Sequence, residues 1–162
     1  MTVESSRAEQ VIRTCIDEGI TIGTAESLTA GLVTAALAEV PGCSAVLRGG
    51  VIAYATGVKQ DLLGVDPMLL AHVVSEPVAA ALAQRAAALL QAALGVGTTG
   101  VAGPDPLDGR PPGTVWIAVH DTRSGRTRTR ELALSGDRAA VRAGTVTACL
   151  DLLLEALAAD RS

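Results

Sequence analysis

Aromatic side chains are almost missing from this sequence: Trp116 and Tyr54 are the only two, and there is no phenylalanine. Proteins that read single-stranded nucleic acid stack bases on several aromatic rings, so that class is excluded. Positive charge is short as well. The formal net charge is −4, with one basic cluster from Arg123 to Arg130. A surface built for phosphate backbones needs far more, and no nucleic-acid partner is expected. Cysteine is limited to Cys15, Cys43 and Cys149, an odd number without CxxC spacing. These read as small buried hydrophobes in a reducing compartment, not as a disulfide framework or a zinc site. A long apolar run is lacking too. The longest uncharged stretch, Ala86 to Pro104, is broken by Gln91 and four glycines, which makes it a poor membrane span. The opening Met-Thr-Val-Glu-Ser-Ser-Arg carries no apolar signal region, so the expectation is a cytoplasmic protein with no membrane partner.

Lysine is the scarcest residue with chemical potential. Thirteen residues are Lys or Arg, and Lys59 is the one that is not arginine. A bias toward arginine does not explain why one site kept lysine. Lysine works as a base once neutral, whereas arginine in a protein stays protonated. The lone tyrosine, Tyr54, stands five residues before it.

Hydrophobic residues are plentiful, at 49% of 162 residues against 19% charged. That predicts one folded domain over 1–162 with a sizeable core. Ser6-Arg-Ala-Glu9 fits a capping box for a first helix ending at Gly19. Ile20 to Thr24 alternates like a strand. Ser27 to Glu39 reads as a helix with Leu28, Leu32, Ala36 and Leu37 inward. Val46 to Tyr54 has the composition of a buried strand, and Gly57 to Leu63 that of a short helix. Ser75-Glu76-Pro77 starts an alanine-rich helix reaching Leu94, and Val96 to Thr99 forms a strand. Gly100 to Gly113 is a loop. Thr114 to His120 and Thr127 to Leu134 make a hairpin around Ser124-Gly125, and Asp137 to Ala159 closes the chain as a long helix. This order predicts a three-layer α/β/α sandwich with a mixed sheet that carries antiparallel strands at one side.

Gly95-Val-Gly97-Thr-Thr-Gly100 matches GxGxxG, but a dinucleotide fingerprint needs a strand before it and a helix after it. Here the order is reversed, so the cofactor reading is rejected. His72 and His120 are isolated, and no metal site is expected. Ala25-Glu26-Ser27-Leu28-Thr29-Ala30-Gly31 follows a strand and opens a helix. A serine there has free backbone N–H groups beside it for a developing oxyanion; its bland reading is a helix cap. Lys59 supplies the missing base, because serine–lysine pairs are an established nucleophile–base variant. For that, burial by the apolar Val51-Ile52-Ala53 segment has to lower its pKa. Tyr54 relays a proton or hydrogen-bonds the pair. Thr99-Gly100-Val-Ala-Gly103-Pro104 leaves a strand end, where ligand crevices form in open α/β sheets. Arg138 and Arg142, one turn apart, suit a phosphate.

Together these segments resemble the C-terminal domain of the CinA family of competence/damage-inducible proteins, including its stand-alone members that are nicotinamide mononucleotide amidohydrolases. The matching pieces are Ala25 to Gly31, Gly49-Gly50-Val-Ile-Ala-Tyr54 with Lys59, Val74-Ser75-Glu76, Thr99 to Asp105, Gly113-Thr114-Val115, and Gly136-Asp137-Arg138 with Val141-Arg142. The resemblance implies hydrolysis of the nucleotide's carboxamide to nicotinate mononucleotide and ammonia, without metal or cofactor. It implies Ser27 as nucleophile, Lys59 as general base and Tyr54 as proton-transfer partner. Thr29, Gly31, Thr99, Gly100, Gly103 and Arg142 would contact substrate. Three departures stand out: Ala30 replaces the first glycine of the family's Gly-Gly, Ala55-Thr-Gly-Val58 replaces its usual Ser-Asn-Glu-Ala, and residues 105–112 replace its usual Gly-Gly and Glu-Glu-Lys-Pro loop. The alternatives are an amidase for another small pyridine or nucleotide amide, and a silent nucleotide-binding module. Leu150, Leu152, Leu153, Leu154 and Leu157 give the last helix more than one apolar face, from which a homo-oligomer is expected.

Overall fold

The computed structural model describes residues 3–159. A five-stranded sheet lies between two helical layers. Its strands are β1 (Ile22–Glu26), β2 (Leu47–Ile52), β3 (Leu94–Gly100), β4 (Thr114–Asp121) and β5 (Arg126–Ala133), in the spatial order β2-β1-β3-β4-β5. β1 runs parallel to both β2 and β3, while β4 is antiparallel to β3 and β5. The mixed three-layer sandwich anticipated from the sequence is therefore the fold.

On one face lie α1 (Val3–Glu18), α2 (Leu32–Ala38) and α5 (Arg138–Ala159), and Val11, Ile12, Leu37, Leu150 and Leu153 join Ile22, Val96 and Ile117 of the sheet in the main core. On the other face α4 (Glu76–Leu90) packs beside α3 (Thr56–Asp61), with Val78, Leu82 and Ala86 against Ala25, Leu63 and Val65.

α4 approaches β3 unusually closely. A Cβ on Gly95 would sit 1.9 Å from the carbonyl oxygen of Ala83, and one on Gly97 would sit 2.3 Å from that of Ala79. Ala79 and Ala83, one turn apart, bring helix backbone down onto these glycines. The GxG pattern is thus a helix-to-sheet contact. Trp116 on β4 completes this patch, packed against Ala79, Ala83 and Ala118.

Several boundaries differ from the sequence expectation. α1 begins at Val3, so Ser6-Arg-Ala-Glu9 lies inside the helix and caps nothing. β2 is an edge strand whose residues alternate between half-buried and exposed, not a buried one. α4 stops at Leu90 because Gln91 turns left-handed, with φ of +51°, and Leu94 already belongs to the sheet. Leu150, Leu152, Leu153 and Leu157 of α5 are buried within the chain and Leu154 is half-buried against the same core, so these leucines do not mark an oligomer surface. Cys15 and Cys149 are buried free thiols and Cys43 is half-buried. Burial pushes the Cys15 thiol up to about 12. Among the described residues, no helix is long and apolar enough to cross a membrane.

Gly95→Ala is expected to lower unfolding free energy by about 1–3 kcal/mol, since backbone rather than a flexible side chain blocks the new methyl. A urea midpoint equal to wild type would contradict the close packing of α4 on β3.

Candidate active site

β1 lies between β2 and β3, the strands that follow it in sequence on either side, so the crossover direction reverses at β1. Ligand crevices of open α/β sheets form at the carboxyl ends of strands around such a point. An open cleft of about 280 Å³ occupies that position, and its lining includes Ser27, Tyr54, Thr56, Lys59, Thr99, Gly100 and Asp108. Ser27 comes directly after β1, Tyr54 and Lys59 follow β2, and Thr99 and Gly100 end β3.

Glu26, the last residue of β1, organises the serine's turn. It is fully buried. Oε2 accepts from the backbone N–H of Gly31 at 2.9 Å and of Val33 at 3.1 Å. Oε1 accepts from the N–H of Thr34 at 2.8 Å, its hydroxyl at 2.7 Å, and the Thr24 hydroxyl at 3.2 Å. One carboxylate therefore caps α2 from within the sheet, where its charge also suits the helix's positive end. Two sequence expectations change as a result. The helix starts at Leu32 and not at Ser27, because residues 27–31 form the turn that wraps the carboxylate. The N–H groups at the helix start are occupied by Glu26, so they do not form an oxyanion site beside Ser27. The N–H of Ser27 itself donates to the Thr98 carbonyl at 3.1 Å.

The residues assigned to catalysis, Ser27, Tyr54 and Lys59, line the cleft, as do Thr99 and Gly100 of those assigned to substrate contact, whereas Thr29, Gly31, Gly103 and Arg142 are not part of its lining. Thr29 is buried, its hydroxyl paired with that of Thr98 at 2.9 Å. Gly31, with φ of +95°, serves Glu26. Arg142 donates from Nε to the Leu28 carbonyl and from Nη2 to the Thr29 carbonyl, both at 3.0 Å, so two of its five N–H groups hold the turn. Gly103 accepts from Nη1 of Arg138 at 2.9 Å, and Nη2 of the same arginine donates to the Tyr54 hydroxyl. Arg138 thus spans the mouth of the cleft.

Lys59 is only 2% exposed. α3 starts right after the Ala53-Tyr54-Ala55 bend, and one turn in, Lys59 folds back over it. Nζ donates to the carbonyl oxygens of Ala53 at 2.7 Å and Tyr54 at 3.0 Å. Burial lowers its pKa below the ordinary 10.5, because taking an ammonium out of water favours the neutral amine. A neutral amine has two N–H bonds and one lone pair. With both N–H bonds held by carbonyls, the lone pair is left for a third partner. Thr99 gives its hydroxyl hydrogen to the Val73 carbonyl at 2.6 Å, so toward a ligand it offers an acceptor.

Sequence reasoning missed Glu26, Thr56 and Asp108. Glu26 was masked in the sequence by Ser27, which offered itself as the helix cap; the start at Leu32, with Gly31 at the cap position and no side-chain cap, shows only in the structure.

The fold and cleft define an α/β domain with a polar site at the carboxyl ends of its parallel strands. Residues 4–157 match the model of the CinA C-terminal domain, and the chain belongs to that family. A relative from Geobacillus kaustophilus, named among competence-damage inducible proteins, is 47% identical over 146 residues, covering 89% of this chain and 35% of that protein. A CinA-like protein of Frankia casuarinae is 43% identical, covering 91% of this chain and 34% of that protein. The chain thus spans about a third of the length of these relatives. Among solved structures, the competence damage-inducible protein A of Klebsiella pneumoniae superimposes with a TM-score of 0.92 at 32% identity, covering 97% of this chain and 98% of that one. A competence/damage inducible protein of Agrobacterium tumefaciens gives 0.90 at 32% identity, covering 97% and 99%.

Glu26→Ala is expected to cost at least about 3 kcal/mol, because three N–H groups of the turn and helix lose their acceptor. Urea unfolding measures this, and a loss under about 1 kcal/mol would contradict the capping role. Ala30 stands at φ of +48°, a left-handed position where a Cβ is penalised. Ala30→Gly should therefore raise stability by about 0.5–1 kcal/mol, read from the same transition.

Proposed function

We propose that this chain hydrolyses the carboxamide of nicotinamide mononucleotide to nicotinate mononucleotide and ammonia, using Ser27 and Lys59. The observation that carries the reading is Lys59: buried, shifted toward its neutral form, and lining the same cleft as a serine fixed at a strand end. Family membership supports the reading without specifying the reaction.

In the proposed sequence Ser27 Oγ attacks the carboxamide carbon while its proton passes to the lone pair of Lys59 Nζ. The resulting ammonium returns that proton to the departing nitrogen, which leaves as ammonia, and the acyl group remains as an ester on Ser27. Water then attacks the ester, Lys59 takes its proton and passes it to the departing Ser27 Oγ, and nicotinate mononucleotide is released with the serine restored. The Thr99 oxygen is suited to accept an N–H of the carboxamide. Tyr54 and Arg138 stand together at the mouth, where Arg138 is the cation available to the nucleotide's phosphate. Arg142 acts one step removed, by holding the consecutive carbonyls of Leu28 and Thr29.

Ammonia release from nicotinamide mononucleotide tests the reading. Ser27→Ala and Lys59→Arg are each expected to lose roughly a thousandfold in kcat. Arginine at 59 stays protonated and provides no proton acceptor. Wild-type protein that binds the nucleotide yet releases no ammonia would favour the silent binding module; turnover of a different amide alone would favour the other amidase.

A pH profile adds a second test. Protonated Lys59 has no lone pair, so kcat/KM should fall as pH drops through its pKa in the folded protein. Since burial lowers that pKa, the midpoint should lie below 10.5. A midpoint at or above 10.5, or a flat acid limb, would remove Lys59 as the base.

A further inference from the structure

We propose that Asp108 is a specificity-determining residue that selects ligands with a cationic heteroaromatic ring over neutral ones. The inference rests on the proposed reaction for the choice of ligand, and on the loop's geometry for the residue.

Asp108 lies in the segment between β3 and β4, yet it is part of the cleft lining. Its placement is firmly built. Leu107 and Arg110 exchange backbone hydrogen bonds, Leu107 N–H to Arg110 O at 3.1 Å and Arg110 N–H to Leu107 O at 2.8 Å. The two residues between them, Asp108 and Gly109, have φ of +52° and +69°. That is the turn in which both central residues are left-handed, and Asp-Gly is among its favoured pairs. The Asp108 carboxylate is tied back across the cleft as well, accepting from the N–H of Val74 at 3.4 Å. Leu107 from the same turn also lines the cleft.

The surroundings make that carboxylate consequential. Leu28, Leu70, Val73, Val74, Ala102 and Leu107 give the cleft apolar walls, and Asp108 stands exposed at their rim, where a charge interaction is partly screened by solvent. Among the lining residues Lys59 is the one cationic type and Asp108 the one anionic type. When Lys59 is neutral, as a base must be, the lining carries one negative charge. A flat ring with a delocalised positive charge is apolar enough for the walls and complements that charge. A neutral ring of the same shape gains nothing from it.

The test compares two probes by calorimetry: nicotinamide mononucleotide, whose ring is cationic, and its dihydro form, whose ring is neutral while amide, ribose and phosphate are unchanged. Both are titrated into the full chain carrying Ser27→Ala, with and without Asp108→Asn. Asparagine keeps the acceptor for Val74 and tolerates the left-handed backbone, and a melting curve confirms that the variant folds. The expected result is about two- to fivefold tighter binding of the cationic probe with Asp108, a preference that Asn removes by weakening that probe alone. Equal binding of the two probes with Asp108 present, equal loss of both in the variant, or a preference that survives the substitution overturns the proposal. Ammonia release separates this from the reaction itself. Turnover without charge preference overturns the role of Asp108 alone. Charge preference without turnover supports Asp108 and overturns the hydrolysis. Binding of neither probe overturns both.

Discussion

The buried carboxylate of Glu26 is the constraint on which the site depends. A charge without water must be met by donors from every side, and here they come from Gly31, Val33, Thr34 and Thr24. Satisfying it bends residues 27–31 into a turn, starts α2, and ties that helix to the middle of the sheet. From the opposite direction the Arg142 guanidinium takes the carbonyls of Leu28 and Thr29. Ser27 therefore sits in a turn gripped by an anion at its N–H groups and a cation at its carbonyls. Its position comes from this pair of opposed charges more than from helix propensity.

The sheet order turns local placement into a shared cleft. Because β1 is flanked by β2 and β3 running in its own direction, three carboxyl ends emerge together. Segments distant in sequence then meet: Ser27 from the first, Tyr54 and Lys59 from the second, Thr99 and Gly100 from the third. The antiparallel β4 closes the arrangement from the other side, with Gly100 paired to Val115. The loop between those two strands has to cross the opening, which puts Asp108 where ligand would enter.

Much of this was legible in the sequence because strong local rules applied. The alternation of helices and strands identified the layers, and the lone Lys59 identified itself by the arginine bias around it. What escaped was whatever depended on a partner far along the chain. Thr29 and Gly31 belong to a conspicuous motif, but Thr98 and Glu26 claim them from beneath. Arg142 carries the charge a phosphate needs, but the structure places it outside the cleft lining, with two of its donors on backbone carbonyls of the turn. The leucines of α5 covered more than one helical face because α1 packs on one side of the helix and the sheet on another, a burial on two sides that periodicity alone does not distinguish from an oligomer surface. Ser6 and Glu9 had the spacing of a cap, but helix propensity carried α1 past them to Val3.

The scarcity of aromatic rings gives this protein an optical economy. Trp116 is its single indole, placed on β4 directly opposite Thr99 in the sheet register and enclosed by alanines of α4. Near-ultraviolet emission excited at the indole band thus originates from one site, one strand away from the cleft. Tyr54, the only other chromophore of that kind, stands at the mouth with its hydroxyl held by Arg138. Light absorbed by this chain reports separately on the wall behind the cleft and on its rim, with no other ring to blur the two.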